Sequence, residues 1–144
     1  MKGGAYLLVM RLESPLALSV GALGRVSFPQ GIYVYAGSAL PSLQARVDRH
    51  FSPRKKVHWH VDHLSLRARP LEALALRSDE RLECLLNEMV ERLEGASPFA
   101  PGFGCSDCRC RTHLHLLEEG ALGHLERFLP EKLEPSAGRD ESLL

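Results

Sequence analysis

The chain is predicted to fold as α/β: a small mixed, mainly antiparallel sheet flanked by helices, with an extra hairpin near the amino terminus. Three observations predict this. From Gly4 to Leu12, Tyr6, Leu8, Met10 and Leu12 alternate with Leu7, Val9 and Arg11, the period of a strand. Short strand-like runs separated by glycine and proline follow, as far as Tyr35. Apolar residues then recur at helical spacing, first at Leu43, Val47 and Phe51, later at Leu82, Leu85, Leu86, Met89, Val90 and Leu93.

In order, the first strand gives way at Pro15 to a second from Leu16 to Val20. Gly21-Ala22-Leu23-Gly24 turns the chain, and Arg25 to Phe28 pairs back as a hairpin. Pro29-Gln30-Gly31 breaks the run before a strand from Ile32 to Tyr35, so the first third is expected to be a sheet of about four strands. Pro41 suits the start of a helix, where its missing donor does no harm. A basic loop, Ser52 to Lys56, precedes His58 to Leu66, which suits either a strand or a short helix and is assigned here to helix. Leu71 to Leu76 alternates as a strand, and Ser78 is expected to cap the long helix that Gly95 stops. Ser97 to Gly104 is expected as a loop, Thr112 to Leu117 as the last strand, and Gly120 to Leu129 as a short helix. Residues 1–129 therefore make a single domain, and 130–144 a polar, flexible tail.

The chain has 144 residues, 18 Lys and Arg against 18 Asp and Glu, and ordinary apolar content, which fits one soluble domain with a modest core. No apolar run reaches the roughly 20 residues of a membrane span, and the start has no signal-peptide pattern, so the expected location is cytoplasmic without a membrane partner. Zero net charge argues against bulk electrostatic binding of nucleic acid. The charge is uneven, however: Arg46, Arg49, Arg54, Lys55, Lys56, Arg67 and Arg69 stand against only Asp48 and Asp62. Such a patch fits either a surface for a nucleic-acid backbone or a solvated face.

The candidate chemistry centres on Gly31 to Ala39 and the helix behind it. Tyr33 and Tyr35 share one face of a strand, Gly37 allows a sharp bend, and Arg46 and His50 share one face of a helix. Two phenols, a guanidinium and an imidazole on adjoining surfaces can hold a phosphate and activate water. The same residues also fit a hairpin strand with aromatic packing beside a solvated helix.

The order of these motifs resembles the GIY-YIG (Uri) nuclease superfamily. Its Gly-x-Tyr looks like Gly4-Ala5-Tyr6, and its Tyr-x-Gly-Ser like Tyr35-Ala36-Gly37-Ser38. Its Leu-x-x-Arg-x-x-x-His helix looks like Leu43 to His50, and its distal glutamate like Glu83. The literal Gly31-Ile32-Tyr33 lies on the second motif's own strand and is a coincidence of spelling. A closer likeness is to an uncharacterised branch of that superfamily, catalogued as domain of unknown function 123. It covers Gly21 to Arg25, Gly31 to Ala39, Arg46 to His50, His58 to Asp62, and Gly102 to Leu114. The chain departs from the superfamily in the long gap between Tyr6 and Tyr35, filled by the hairpin, and in Ala39, which replaces a hydroxyl residue. Its only asparagine, Asn87, lies one turn beyond Glu83.

The resemblance implies a divalent-metal-dependent endonuclease acting on DNA, in repair or processing, with Tyr6, Tyr35, Arg46, His50 and Glu83 as catalytic residues. Tyr6 or Tyr35 orients or deprotonates water, Arg46 neutralises phosphorane oxygens, and Glu83 holds Mg²⁺ or Mn²⁺. His50 assists proton transfer or binds phosphate. Ser38, Arg49, Arg54, Lys55, Lys56, His58 and His60 are the expected DNA contacts. The arrangement requires Tyr6 and Glu83 to meet in one pocket, not on opposite sides of the sheet. The alternative on the same fold is a nucleic-acid-binding module that cleaves weakly.

Two further constellations stand out. His58-Trp59-His60-Val61-Asp62-His63 spells the HxHxDH string of metallo-β-lactamase-like zinc hydrolases. The chain is short for that fold, so these residues are expected to flank the phosphate face, with a small zinc hydrolase centred on His58, His60 and Asp62 as the less favoured alternative. Cys105, Cys108, Cys110 and His113 carry enough thiolate and imidazole for Zn²⁺ but lack a distant second pair; otherwise the segment is a tight loop that brings Asp107 or His113 to the active face.

Overall fold

A computed structural model of the chain describes residues 1–105 and 108–136. Eight strands form in order: β1 (Gly4–Leu12), β2 (Leu16–Ser19), β3 (Arg25–Phe28), β4 (Gly31–Ala39), β5 (Arg69–Arg77), β6 (Ala96–Pro98), β7 (Leu114–Leu117) and β8 (Glu131–Leu133). The helices are α1 (Leu43–Phe51), α2 (His60–Ser65), α3 (Glu83–Glu91) and α4 (Leu122–Phe128). Six strands make the main sheet in the order β6-β7-β4-β1-β5-β8, and every ladder in it is antiparallel. This is the expected α/β class.

Alternation along β1 gives the sheet two apolar faces. Tyr6, Leu8, Met10 and Leu12 face one core, completed by Leu43 and Val47 of α1, Val61 and Leu64 of α2, and the β2–β3 hairpin. Ala5, Leu7 and Val9 face the other, with Leu86 and Val90 of α3 and Leu125 of α4. Burial on both faces explains why β1 is apolar at nearly every position. Leu43 and Val47 are wholly buried, each contributing about 1.5–3 kcal/mol.

Four expectations need correction. β2 and β3 do not join the main sheet but form a separate two-stranded ribbon, since Pro15 and Pro29 break the chain on both sides of it. Ser78 does not cap α3: its hydroxyl accepts the Glu80 amide in a local turn, and the helix starts at Glu83 with Leu82 at the cap position. Ala96–Pro98, expected as loop, is an edge strand on β7, where proline is tolerated. Residues 131–133, expected in the tail, pair with Ala73–Ala75 of β5, and Leu133 is buried. Glu134 and Ser136 are also bonded to α1: Gln44 donates to the Glu134 carbonyl, and Ser136 donates to the Asp48 carboxylate. Residues 137–144 lie outside the described residues.

Among the described residues no helix is long and apolar enough to cross a membrane.

Candidate functional site: a two-walled pocket at the open end of β4

β7 pairs with β4 only as far as Leu114 opposite Tyr35; beyond that, the Ala36 amide donates to the His113 carbonyl and the ladder stops. The far end of β4 is thus open on that side, and side chains from both sheet faces reach it. A pocket of about 500 Å³ lies there, lined by Tyr35, Ser38, Arg46, Trp59, Arg81 and Glu83, with Cys84, Cys108 and His113 on the opposite wall.

One wall comes from β1, β4 and α1. The Ser42 hydroxyl caps α1 by accepting the Ala45 amide at 3.1 Å, which sets the helix's start and so the direction of Arg46 and His50. Tyr6 faces Gly37 across the β1–β4 ladder. A Cβ at Gly37 would lie 2.5 Å from the Tyr6 hydroxyl and 3.0 Å from the Tyr35 ring, so glycine is what lets both phenols approach the strand. The Tyr6 hydroxyl sits 2.7 Å from His50 Nε2, and neither residue is more than 1% exposed. Tyr35 packs edge-on to that imidazole and faces the pocket.

Burial sets the charge state of this wall. It pushes the Tyr6 phenol up to about 12, against the nearby Arg46 guanidinium, and it raises Tyr35 further. Burial, with Lys55 and Arg46 adding to it, lowers His50 to about 3, so the imidazole is neutral at pH 7. Its Nδ1 is buried with no hydrogen-bond partner among the described residues. A neutral imidazole sharing a hydrogen bond with a protonated phenol fixes the direction of the hydroxyl and leaves both groups uncharged.

Glu83 arrives from the other side. Its helix packs on the opposite sheet face from α1, yet the first turn of α3 overhangs the open end of β4. There the Ser38 hydroxyl donates to Glu83 Oε1, while Arg46 Nη1 donates to the Ser38 carbonyl at 3.0 Å. Ser38 therefore joins guanidinium and carboxylate through its two ends. Arg81, which the sequence reading missed, pairs with Glu83 at 3.7 Å and lines the same pocket. Tyr35, Arg46 and Glu83 share the pocket. The expected meeting of Tyr6 with Glu83 in it is corrected: Tyr6 and His50 are buried and do not line it, and Tyr6 reaches its edge through the Tyr35 ring, with centroids 6.3 Å apart.

The basic residues divide. The Arg46 and Arg49 guanidiniums lie 4.3 and 4.7 Å from the Trp59 ring centroid. Arg49 pairs with buried Asp62 at 2.5 Å, and Asp62 also accepts the amides of His58 and Trp59. Lys55 donates to the carbonyls of Arg49 and His50 and to the Ser65 hydroxyl, closing the end of α1. Arg49 and Lys55 are thus occupied within the fold, whereas Arg54, Lys56 and His58 are exposed, His58 on a smaller hollow that it shares with Tyr35 and Trp59. His60 Nδ1 accepts the Gly104 amide at 2.9 Å, which turns the histidine string into a helix start and a loop anchor. Tyr33 is core: it packs against Phe28 and Phe99 and donates to the Pro29 carbonyl.

The second wall is made of sulfur and imidazole. Cys84, Cys108, Cys110 and His113 place one donor atom each within 4.8 Å of the others, a group that could hold a metal ion. The expected set is corrected at one position: Cys105 donates to the Phe103 carbonyl, and Cys84 from α3 takes its place. Burial raises the thiols of Cys84, Cys105 and Cys110, with the neighbouring sulfurs adding to it. Asn87, one turn from Cys84, donates to the Thr112 carbonyl at 2.8 Å and so fixes the residue before His113. Asp107 lies outside the described residues.

No curated protein and no solved structure matches the chain. The family described as Domain of unknown function DUF123 matches residues 5–132, which include both walls of the pocket and all the strands of the main sheet except its first and last residues. The chain belongs to the DUF123 family.

Proposed function

We propose that the chain is a GIY-YIG-type endonuclease that hydrolyses DNA phosphodiester bonds with a hard divalent ion, Mg²⁺ or Mn²⁺, in the cytoplasm. One observation carries this reading: Tyr35, Ser38, Arg46 and Glu83 line a single pocket, backed by the 2.7 Å Tyr6–His50 contact. Glu83 fits such an ion because it is the carboxylate among the lining residues, and Mg²⁺ takes one or two protein carboxylates, the rest being water and phosphate. Bound there, the ion supplies charge neutralisation at the leaving oxygen.

The chain's own residues supply the rest. Arg46, held by the Ser38 carbonyl and the Trp59 face, offers its remaining donors to the non-bridging oxygens as charge builds on them. Tyr35 orients the attacking water at the pocket surface. Because burial keeps both phenols protonated and His50 neutral, these groups orient the water and do not take its proton, which passes to a non-bridging oxygen of the phosphate and from there to the leaving oxygen. Water then adds to phosphorus as the P–O bond to the departing nucleotide breaks. Exposed Arg54, Lys56 and His58 extend the contact along the backbone.

The test compares nicking of DNA of varied structure, with Mg²⁺ or Mn²⁺, by wild type, Arg46→Ala and Glu83→Ala. Loss of nicking by about 10²–10³-fold with binding retained is expected. Binding without nicking by the wild type would establish the weakly cleaving module instead.

A further inference from the structure

We propose that Cys84, Cys108, Cys110 and His113 form a closed, structural zinc site that fastens the start of α3 to the loop before β7. The site itself is independent of the nuclease reading; only its consequence for Glu83 rests on that reading.

The tautomer of His113 is the first argument. Its Nδ1 lies 3.0 Å from the Ala36 carbonyl, and a carbonyl only accepts, so Nδ1 carries the hydrogen. Nε2 is then a bare lone pair. It faces Cys108 Sγ at 3.3 Å and Cys84 Sγ at 3.7 Å. A backbone carbonyl on the remote ring nitrogen is the usual arrangement behind a metal-bound imidazole, since it fixes both tautomer and ring direction.

The spacing is the second. Zn–S bonds of about 2.3 Å and Zn–N bonds of about 2.0 Å give a tetrahedral sulfur-to-nitrogen edge of roughly 3.5 Å, between the two distances observed. A single S–H donated to that lone pair would account for one sulfur, whereas two face the same nitrogen and the third lies within 4.8 Å of all of them. A disulfide cannot account for three sulfurs, and all four cysteines are free. Three thiolates and one imidazole also select a soft or borderline ion in tetrahedral geometry and leave no open position, which marks zinc in a structural role and excludes Mg²⁺.

The surrounding fold supports these ligands. Asn87 holds Thr112, the His113 amide donates to the Phe103 carbonyl at 2.8 Å, and Gly104 leaves the space a Cβ would take 3.2 Å from His113. α3 also needs an anchor, because among the described residues no side chain caps its amino terminus. Cys84 supplies one, and the residue before it is Glu83. Zinc bound here fixes the first turn of α3 over the pocket, and on the nuclease reading it keeps the Glu83 carboxylate facing Arg46.

The test needs no DNA, so its failure is distinct from failure of the nuclease reading. The full-length chain, purified from zinc-replete cells, is assayed for metal content, and cobalt is exchanged into it. One zinc per chain is expected, and the cobalt form shows the visible bands of tetrahedral coordination with thiolate charge transfer. Cys105→Ser keeps the metal and Cys84→Ser loses it. Should Cys84→Ser fail to fold, alkylation of the folded wild type decides: Cys105 reacts first, and the other three thiols react only after a chelator is added. A folded wild type without metal, one with iron or copper in place of zinc, or four thiols that react alike with and without chelator would overturn the proposal.

Discussion

Each wall of the pocket hides a buried histidine, and the two are wired in opposite senses. His50 meets the Tyr6 phenol through Nε2 and has no hydrogen-bond partner on Nδ1 among the described residues. His113 gives its Nδ1 hydrogen to the Ala36 carbonyl and turns a bare Nε2 to the sulfurs of Cys84 and Cys108. Both residues are at most 3% exposed, so burial does not separate them. The partner on the remote nitrogen does. A fixed backbone carbonyl commits His113 to one tautomer and turns its lone pair to the sulfurs; His50 has no such lock, and its Nε2 shares a hydrogen bond with the Tyr6 hydroxyl.

The strongest way to break this comparison is to remove each imidazole in turn. His113→Ala is expected to abolish metal binding, read as zinc per chain. His50→Ala is expected to leave the zinc in place and slow phosphodiester hydrolysis by about 10²-fold, in the range of a misplaced orienting group, because it releases the Tyr6 phenol. If both variants lose zinc, or both keep it, the two walls are not chemically distinct.

Gly37→Ala tests the first wall alone. The added methyl meets the rigid Tyr6 ring at 2.5–2.7 Å, so strand or phenol must shift. A loss of about 1–3 kcal/mol in urea unfolding is expected, with zinc content unchanged.

The acid response should follow His50. Its folded pKa lies near 3, well below the 6.5 of a free imidazole, so between those values the unfolded chain holds the extra proton. Stability is therefore fully present above pH 6.5 and falls as pH drops towards 3, by up to about 1.4 kcal/mol per pH unit for one fully shifted group. Burial lowers His60 and His115 as well, in the same sense. His50→Asn should flatten part of this slope between pH 6.5 and 5 in urea unfolding; an unchanged slope would mean that the imidazole is not held neutral.

Smaller effects belong to the surface. Replacing exposed Arg54 and Lys56 by alanine should weaken DNA binding and reduce the salt slope by about 1 for each residue, without touching zinc. Glu131→Ala removes an ion pair with Arg77 that is more than a third exposed on both sides, and should cost less than about 1 kcal/mol.

What was legible in the sequence was local. Alternation gave β1 and β4, helical spacing gave α1, and the order of Tyr6, Tyr35, Arg46, His50 and Glu83 is the order in which the chain lines or backs the pocket. What escaped was set by distant contacts. The hairpin's separation from the sheet depends on where its prolines direct the chain, and β8 becomes a strand only because β5 offers a free edge. Cys84 sits beside Leu82, Leu85 and Leu86 and so passes for a core residue of an amphipathic helix. One signal was available: the Cys/His segment lacked a distant partner, and Cys84 was the only other cysteine in the chain. Arg49 and Lys55 count as cations in sequence, but they satisfy a buried carboxylate and a helix end.

We propose one pocket that hydrolyses on one side and is locked by a metal on the other. Its most direct test is Mg²⁺-dependent DNA nicking by wild type and Glu83→Gln, with zinc measured in the same samples. The account predicts that both carry one zinc and only the wild type nicks. Equal nicking by the two proteins, or DNA binding by the wild type with no nicking at all, would contradict it.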